Sequence, residues 1–464
     1  MTNIFLNSDL FMIINEYTDL RNLCDTCLDL SILKKYINYK LNKKYSLLYN
    51  NNILFKNIIL NKIFNPYKQL YINLSKYDGI VDVSELDNVY SLNLSYCNNV
   101  INVSALTNLH TLILSYNNNI TDVSMFRNIY KLNLCGCKQI TDVSALGNVY
   151  DLNLSYCNNI TDVSMLGKVH NLDLRFCNNI TDVSMLGNVY SLDLRCCDKI
   201  IDVSALGKVN ILNLCFCDKI IDISALRNVN NLKLFGCKNI SIISVFGNTS
   251  YLDLQSCDKI TNFSLFRNVY ELNLCGCNNI TDVNSLKNVH TLNLSNCNYI
   301  SNVSGLKKVH TLNLSFCDKI TDVSALGKVH DLNLSYCNNI SNVSALGNVH
   351  NLNLSFCNNI SNVSALGNVH TLNLSNCYNI SNVSALGNVY DLNLSYCNNI
   401  SNVSELKNVH TLKLINCNNI TDVSALGNTK KLYLSYCNNI TDISALDRVH
   451  ILDLSGCNNL IYKK

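Results

Sequence analysis

Cysteine and histidine hold most of the reactive chemistry in this sequence, and both sit in a fixed register. The chain of 464 residues has 24 cysteines, eighteen of them at Cys97 and then every 20 residues from Cys137 to Cys457. Thiols in such numbers can pair as disulfides, hold zinc or act as nucleophiles, and each role needs its own geometry. A constant interval supplies none of these, because equivalent side chains of successive copies lie in parallel instead of facing one another. Asn117 fills the same place in one copy. The pattern predicts an inward ladder of small side chains that pack and satisfy backbone groups at a strand end. Cys135, Cys215 and Cys275 each precede a ladder cysteine by two, but no second pair stands at zinc-finger spacing. No metal site and no cofactor are expected.

All nine histidines, at 110, 170, 290, 310, 330, 350, 370, 410 and 450, share one position of the interval. Stacked at strand spacing they offer metal capture or pH sensing. Tyr90, Tyr130, Tyr150, Tyr190, Tyr270 and Tyr390 occupy the same position, so the first expectation is an aromatic edge ladder, with pH-dependent behaviour of the run His290 to His370 as the second. Every Ser, His and Asp that might combine into a catalytic group belongs to a repeated position. No glycine-rich phosphate loop or His-Glu-x-x-His motif occurs. The sequence is read as having no catalytic residues and as not being an enzyme.

These residues are positioned by a repeat. From about Tyr67 the sequence recurs every 20 residues, and in one copy Val169, Leu172, Leu174, Cys177, Ile180, Val183 and Leu186 are the apolar places. Alternation at Leu172-Asp173-Leu174 is that of a strand with leucines inward, and the steps of three that follow return the chain around a core. One coil cannot bury its apolar side alone, so about twenty coils must stack, their strands forming a parallel sheet on a concave face. Twenty residues leave little room for a helix on the convex return, where turns or 3₁₀ segments are expected around Val183-Ser184-Met185-Leu186. The domain boundaries read as 1–66 and 67–464.

The repeat Val-x-x-Leu-x-Leu-x-x-Cys-x-x-Ile-Thr-Asp resembles the leucine-rich-repeat family, in particular its cysteine-containing subtype found in F-box proteins. The short Ile-Thr-Asp-Val-Ser-Ala-Leu return is more similar to the phosphatase-regulator and internalin types. The resemblance implies an α/β solenoid that binds a protein. Asparagine between the paired leucines points outward in most copies, as a ladder able to satisfy itself side chain to side chain. Specificity is expected where that ladder breaks, at Lys233, Phe235, Tyr251, Asp253, Gln255 and Glu271, with a second break at Lys413, Ile415, Lys430, Lys431 and Tyr433.

Residues 1–66 lack the repeat and read as helices, with caps at Ser8, Thr18 and Ser31. The order of Leu10, Ile13, Ile14, Leu20 and Leu23 resembles a degenerate F-box. That resemblance implies docking on the Skp adaptor of a cullin-type ubiquitin ligase. A helical cap on the first coil explains the same spacing, and the two readings are compatible. The composition resembles repeat proteins of AT-rich genomes, including giant viruses of amoebae, which implies the host cytoplasm.

Hydrophobic residues make up 48% of the chain and charged residues 15%, with a net charge of +3 spread along the repeats. This favours a folded protein and offers no basic face for nucleic acid. No signal peptide or membrane span is read, so reduced thiols in a cytoplasmic setting and no membrane partner are expected. The last strand, Leu452 to Leu454, has no polar capping repeat after it, and self-association through that edge is expected.

Overall fold

The computed structural model describes residues 39–51, 53, 56, 69–87, 89–247 and 249–461. The N-terminal caps and the F-box-like residues Leu10, Ile13, Ile14, Leu20 and Leu23 therefore lie outside the described residues. The chain divides into two compact units, Met1–Ile200 and Ile201–Lys464.

In the first unit, strand Tyr39–Lys40 (β1), helix Lys43–Asn51 (α1) and strand Leu70–Asn73 (β2) precede six three-residue strands, Ser91–Asn93 (β3) to Ser191–Asp193 (β8). Strand β1 departs from the all-helical expectation for this segment. It pairs in parallel with β2, Tyr39 opposite Leu70, and so occupies an edge whose backbone groups would otherwise lack partners. Asn42 caps α1 by accepting the Tyr45 amide at 3.0 Å, as a short polar side chain does at a helix start. The Ser46 hydroxyl then donates to the Leu41 carbonyl at 3.1 Å and accepts the Asn73 amide at 3.0 Å. These bonds tie the helix to the first coil.

Among its described residues the second unit contains thirteen strands, from Ile211–Asn213 (β9) to Ile451–Asp453 (β21). Within each unit, strands of successive full coils pair in parallel at an offset of 20 residues, as Leu92 with Leu112 and Leu332 with Leu352. In Asn171–Asp173 the central Leu172 is buried and its neighbours half-buried. Leu174, Cys177, Ile180, Val183, Leu186 and Val189 are buried as well. The return segment forms a 3₁₀ helix at Ser184–Leu186, where the sequence predicts one. Equivalent 3₁₀ helices recur through both units except around 104–106 and 244–246.

One backbone feature has no counterpart in the hydrophobic pattern. The residue before each ladder cysteine is left-handed, with φ of 62° at Tyr96 and Tyr156, 58° at Phe176 and 62° at Tyr336 and Phe356. Such angles are uncommon for residues other than glycine. They are held because the amide there must turn toward the next coil, as Tyr96 N does to the Ser115 carbonyl at 2.9 Å. The side chains that result stack, Tyr156 on Phe176 at 4.5 Å and Tyr336 on Phe356 at 4.2 Å between ring centroids.

Candidate functional site

The cysteine ladder resolves into a backbone-satisfying device. Each ladder thiol with a described partner donates to a carbonyl 23 residues earlier, Cys97 to Leu74 at 3.2 Å, Cys257 to Leu234 at 3.3 Å and Cys437 to Leu414 at 2.9 Å. Asn117 does the same through its amide, to Leu94 at 2.8 Å. No disulfide occurs among the described residues. Burial pushes the thiols of Cys157, Cys177 and Cys357 up to about 12, so they stay protonated and poorly nucleophilic.

The outward asparagines behave differently from the expected side-chain ladder. Asn93 Oδ1 accepts the Ser95 amide at 2.9 Å and the Ser95 hydroxyl at 2.7 Å, and Asn153, Asn313 and Asn373 take the amide two residues on in the same way. Beyond the three-residue strand the amides of Leu94 and Tyr96 still reach the next coil, at Ile113 and Ser115, but the Ser95 amide between them has no such partner. The Asx turn supplies one locally. Coils are instead tied by a second asparagine that the sequence reading did not single out. Asn99 donates to the Asp78 carbonyl at 2.6 Å, and Asn159 to Lys138 at 2.8 Å. Its signal was present in the repeated Cys-Asn-Asn-Ile.

Where the ladder breaks in the second unit, the predicted residues come together on strands Asn231–Lys233 (β10), Tyr251–Asp253 (β11) and Glu271–Asn273 (β12) and on the turns after the first two. Lys233 Nζ lies 6.0 Å from the Tyr251 ring centroid, a cation–π arrangement. Asp253 accepts Asn273 Nδ2 at 3.0 Å. Burial raises its carboxyl above the ordinary range, against the Gln255 amide and Lys233, which lower it. Tyr251 is raised by burial first, then by Asp253 and Glu271. Phe235 meets the edge of Phe216 at 4.7 Å, and Phe216 leans over Gly236, where a Cβ would stand 2.8 Å from its ring. The patch therefore combines both charge signs, two aromatics and a partly desolvated carboxylate. The second break repeats part of it, Lys413 Nζ lying 5.9 Å from the Tyr433 ring.

The sequence reading missed a third break, in the first unit. Arg175 Nη2 donates to Asp173 Oδ2 at 2.6 Å and Arg195 Nη2 to Asp193 Oδ2 at 2.8 Å. The repeated Leu-Asp-Leu-Arg at 172–175 and 192–195 was its signal.

The histidine and tyrosine rings form columns. In the first unit Tyr90, His110, Tyr130, Tyr150, His170 and Tyr190 stack at 4.3–4.6 Å. In the second, the column from Tyr270 to His410 stacks at 4.4–4.9 Å. Beside it, the outward face of the sheet carries a shallow depression of about 350 Å³ lined by Thr311, Asn313, Asp331, Asn333, Asn351 and Asn353. Among the described residues no helix is long and apolar enough to cross a membrane.

Residues 107–148 match a family model described as Leucine Rich repeats (2 copies). No curated protein matches the sequence. Among solved structures, the chain is similar to an LRR protein of Leptospira interrogans, at 18% identity, covering 79% of this chain and 95% of that one, with a TM-score of 0.43. It is also similar to an internalin of Listeria monocytogenes, at 21% identity, with 80% and 88% covered and a TM-score of 0.26. The functional domain of InlJ from Listeria monocytogenes, described as including a cysteine ladder, is 19% identical, with 79% and 66% covered and a TM-score of 0.29. The two matched copies keep the residues and the 20-residue interval of the coils before and after them, and the fold is a solenoid of leucine-rich repeats.

Proposed function

We propose that this chain is a scaffold that binds a protein partner through the outward sheet face at β10 to β12, and that its chemistry is recognition instead of catalysis. The observation that carries the reading is the grouping of Lys233, Tyr251, Asp253 and Glu271 on adjacent strands, with the ammonium at 6.0 Å from the Tyr251 ring. Elsewhere in the unit these positions are mostly Asn, Thr and Ser, and Asn313, Asn333 and Asn373 accept the amide two residues on. Aromatic and charged side chains anchored on rigid strands are what hot spots of protein interfaces are made of. The buried ladder thiols are instead committed to carbonyl hydrogen bonds.

The test is reversion to the repeat. A K233N/F235S/Y251N variant restores residues that the fold accepts in other coils, so it should fold. Affinity capture from the source cell is expected to recover a protein with the wild type and to lose it with this variant. Equal recovery by both would overturn the reading.

For the N-terminal residues, what supports a Skp-type adaptor partner is the order of Leu10, Ile13, Ile14, Leu20 and Leu23 alone. In that reading the sheet holds a substrate for a ubiquitin ligase in the cytoplasm. The alternative is a stand-alone regulatory scaffold of the phosphatase-regulator kind. An adaptor pull-down that survives L10D/I13D, or fails with the wild type, defeats the first.

A further inference from the structure

We propose that His310, His330 and Asp331 form a binding site for one divalent transition-metal ion of the Zn²⁺ class on the outward sheet face of the second unit. This goes beyond protein recognition and departs from the expectation that the chain holds no metal.

Nine histidines share one repeat position, yet His330 is the only one followed directly by an acid. The other copies with aspartate there, Asp151 and Asp391, have tyrosine before it. The run of stacked imidazoles thus meets a carboxylate at a single coil. His310 and His330 are parallel within 13° and 4.7 Å apart, and His330 Nδ1 lies 3.1 Å from Asp331 Oδ1. One ligand atom from each of the three residues lies within 4.8 Å of the others. Two imidazoles and a carboxylate are a ligand set that zinc accepts with a fourth position open.

Bonds of about 2.0–2.1 Å place tetrahedral ligand atoms roughly 3.4 Å apart. The His330–Asp331 pair already meets that spacing, and the exposed His310 ring, whose lone pair lies in its own plane, must turn out of its parallel stack on His330 to reach the same ion. The carboxylate is also pre-oriented, since Thr311 Oγ1 donates to Asp331 Oδ2 at 3.2 Å and Asn351 Nδ2 donates to Oδ1. Such outer partners hold a ligand in the geometry a metal needs. The adjoining depression lined by Thr311, Asp331 and Asn351 gives the open coordination position room for water or a ligand.

The experiment is calorimetric titration of the intact chain with ZnCl₂. The variants H330Y and D331N remove ligands with residues that the ladder already carries, Tyr at 390 and Asn at 351, and H370Y removes a histidine of the same column outside the cluster. One ion per chain is expected for the wild type and H370Y, with binding weakened at least about tenfold in H330Y and in D331N. No binding by the wild type would overturn the site. So would an equal loss in H370Y, which marks indiscriminate capture by the column, or unchanged binding in H330Y and D331N, which assigns the ion to thiols.

Discussion

The Sγ of Cys137 donates to the carbonyl oxygen of Leu114, one coil and three residues earlier, at 3.1 Å. That bond recurs along both units and explains why a chain rich in thiols uses them for stacking. A sulfur–carbonyl bond is weak, but the side chain is also buried, as Leu134 and Ile140 of the same coil are, and a buried carbonyl gains a partner. The thiol is thereby buried, proton-bound and out of reach.

Reactivity toward thiol reagents should follow this division. Among residues 97–457, native alkylation followed by peptide mapping is expected to label the half-exposed Cys135, Cys196 and Cys275 and the edge residue Cys457, and to spare the buried ladder positions. Rapid labelling of Cys337 or Cys357 in the folded chain would contradict the assignment.

Asn117 is the exception that tests the ladder energetically. Its amide donates to Leu94 and Leu114, but its buried Oδ1 finds no hydrogen-bond partner. An orphaned buried acceptor costs about 1–3 kcal/mol. N117C removes it while keeping a donor to Leu94, so chemical denaturation should show unchanged or greater stability. A loss above about 1 kcal/mol would mean that the amide bonds outweigh the orphan.

The left-handed aromatic ladder makes a separate prediction. Gly136 has φ +73°, and a Cβ there would stand 2.5 Å from the Tyr116 ring. G136A should cost about 1–2 kcal/mol from the left-handed backbone alone, with a further cost from displacing the ring. In a Y116A background the second part disappears. A double-mutant cycle is therefore expected to show coupling between the two sites, and strict additivity would exclude it.

Acid should loosen the coils unequally. Asp122, Asp142, Asp162 and Asp182 accept the amide of the serine two residues on at 2.8–2.9 Å, and these backbone bonds hold their carboxyls below the ordinary range. A folded value below the unfolded one contributes stability at pH above the unfolded value and loses it as pH falls through the folded value. Asn342, Asn362, Asn382 and Asn402 make the same bond without titrating. Hydrogen exchange, corrected for intrinsic rate, should rise in 122–186 between about pH 6 and about pH 3 and stay level in 342–406. Equal change in both stretches would count against the carboxylate caps.

Much of this fold was legible because Leu172, Leu174, Cys177, Ile180, Val183 and Leu186 have spacings that only a strand and a tight return can bury together. The 3₁₀ helix at Ser184–Leu186 followed from the same count. The role of Asn93 was not legible, since an outward amide serves a cross-strand ladder and an Asx turn equally well in sequence. Only the length of the strand, three residues, decides between them. The left-handed backbone at Tyr96 and Phe176 was hidden for a related reason, because bulky aromatics ordinarily argue against φ near 60°. The patch residues from Lys233 to Glu271 were visible as departures from the repeat, but their grouping on β10 to β12 required the register. Strand β1 was hidden altogether, as two residues carry no periodicity.

The central claim, that recognition is concentrated at the irregular coils of the second unit, is tested most directly by a hydrogen-exchange footprint of the intact chain with its captured partner bound. Protection gained at residues 231–273, and absent from the uniform coils at 331–393, is the predicted result. A footprint spread evenly along the asparagine-lined coils, or confined to them, would contradict it.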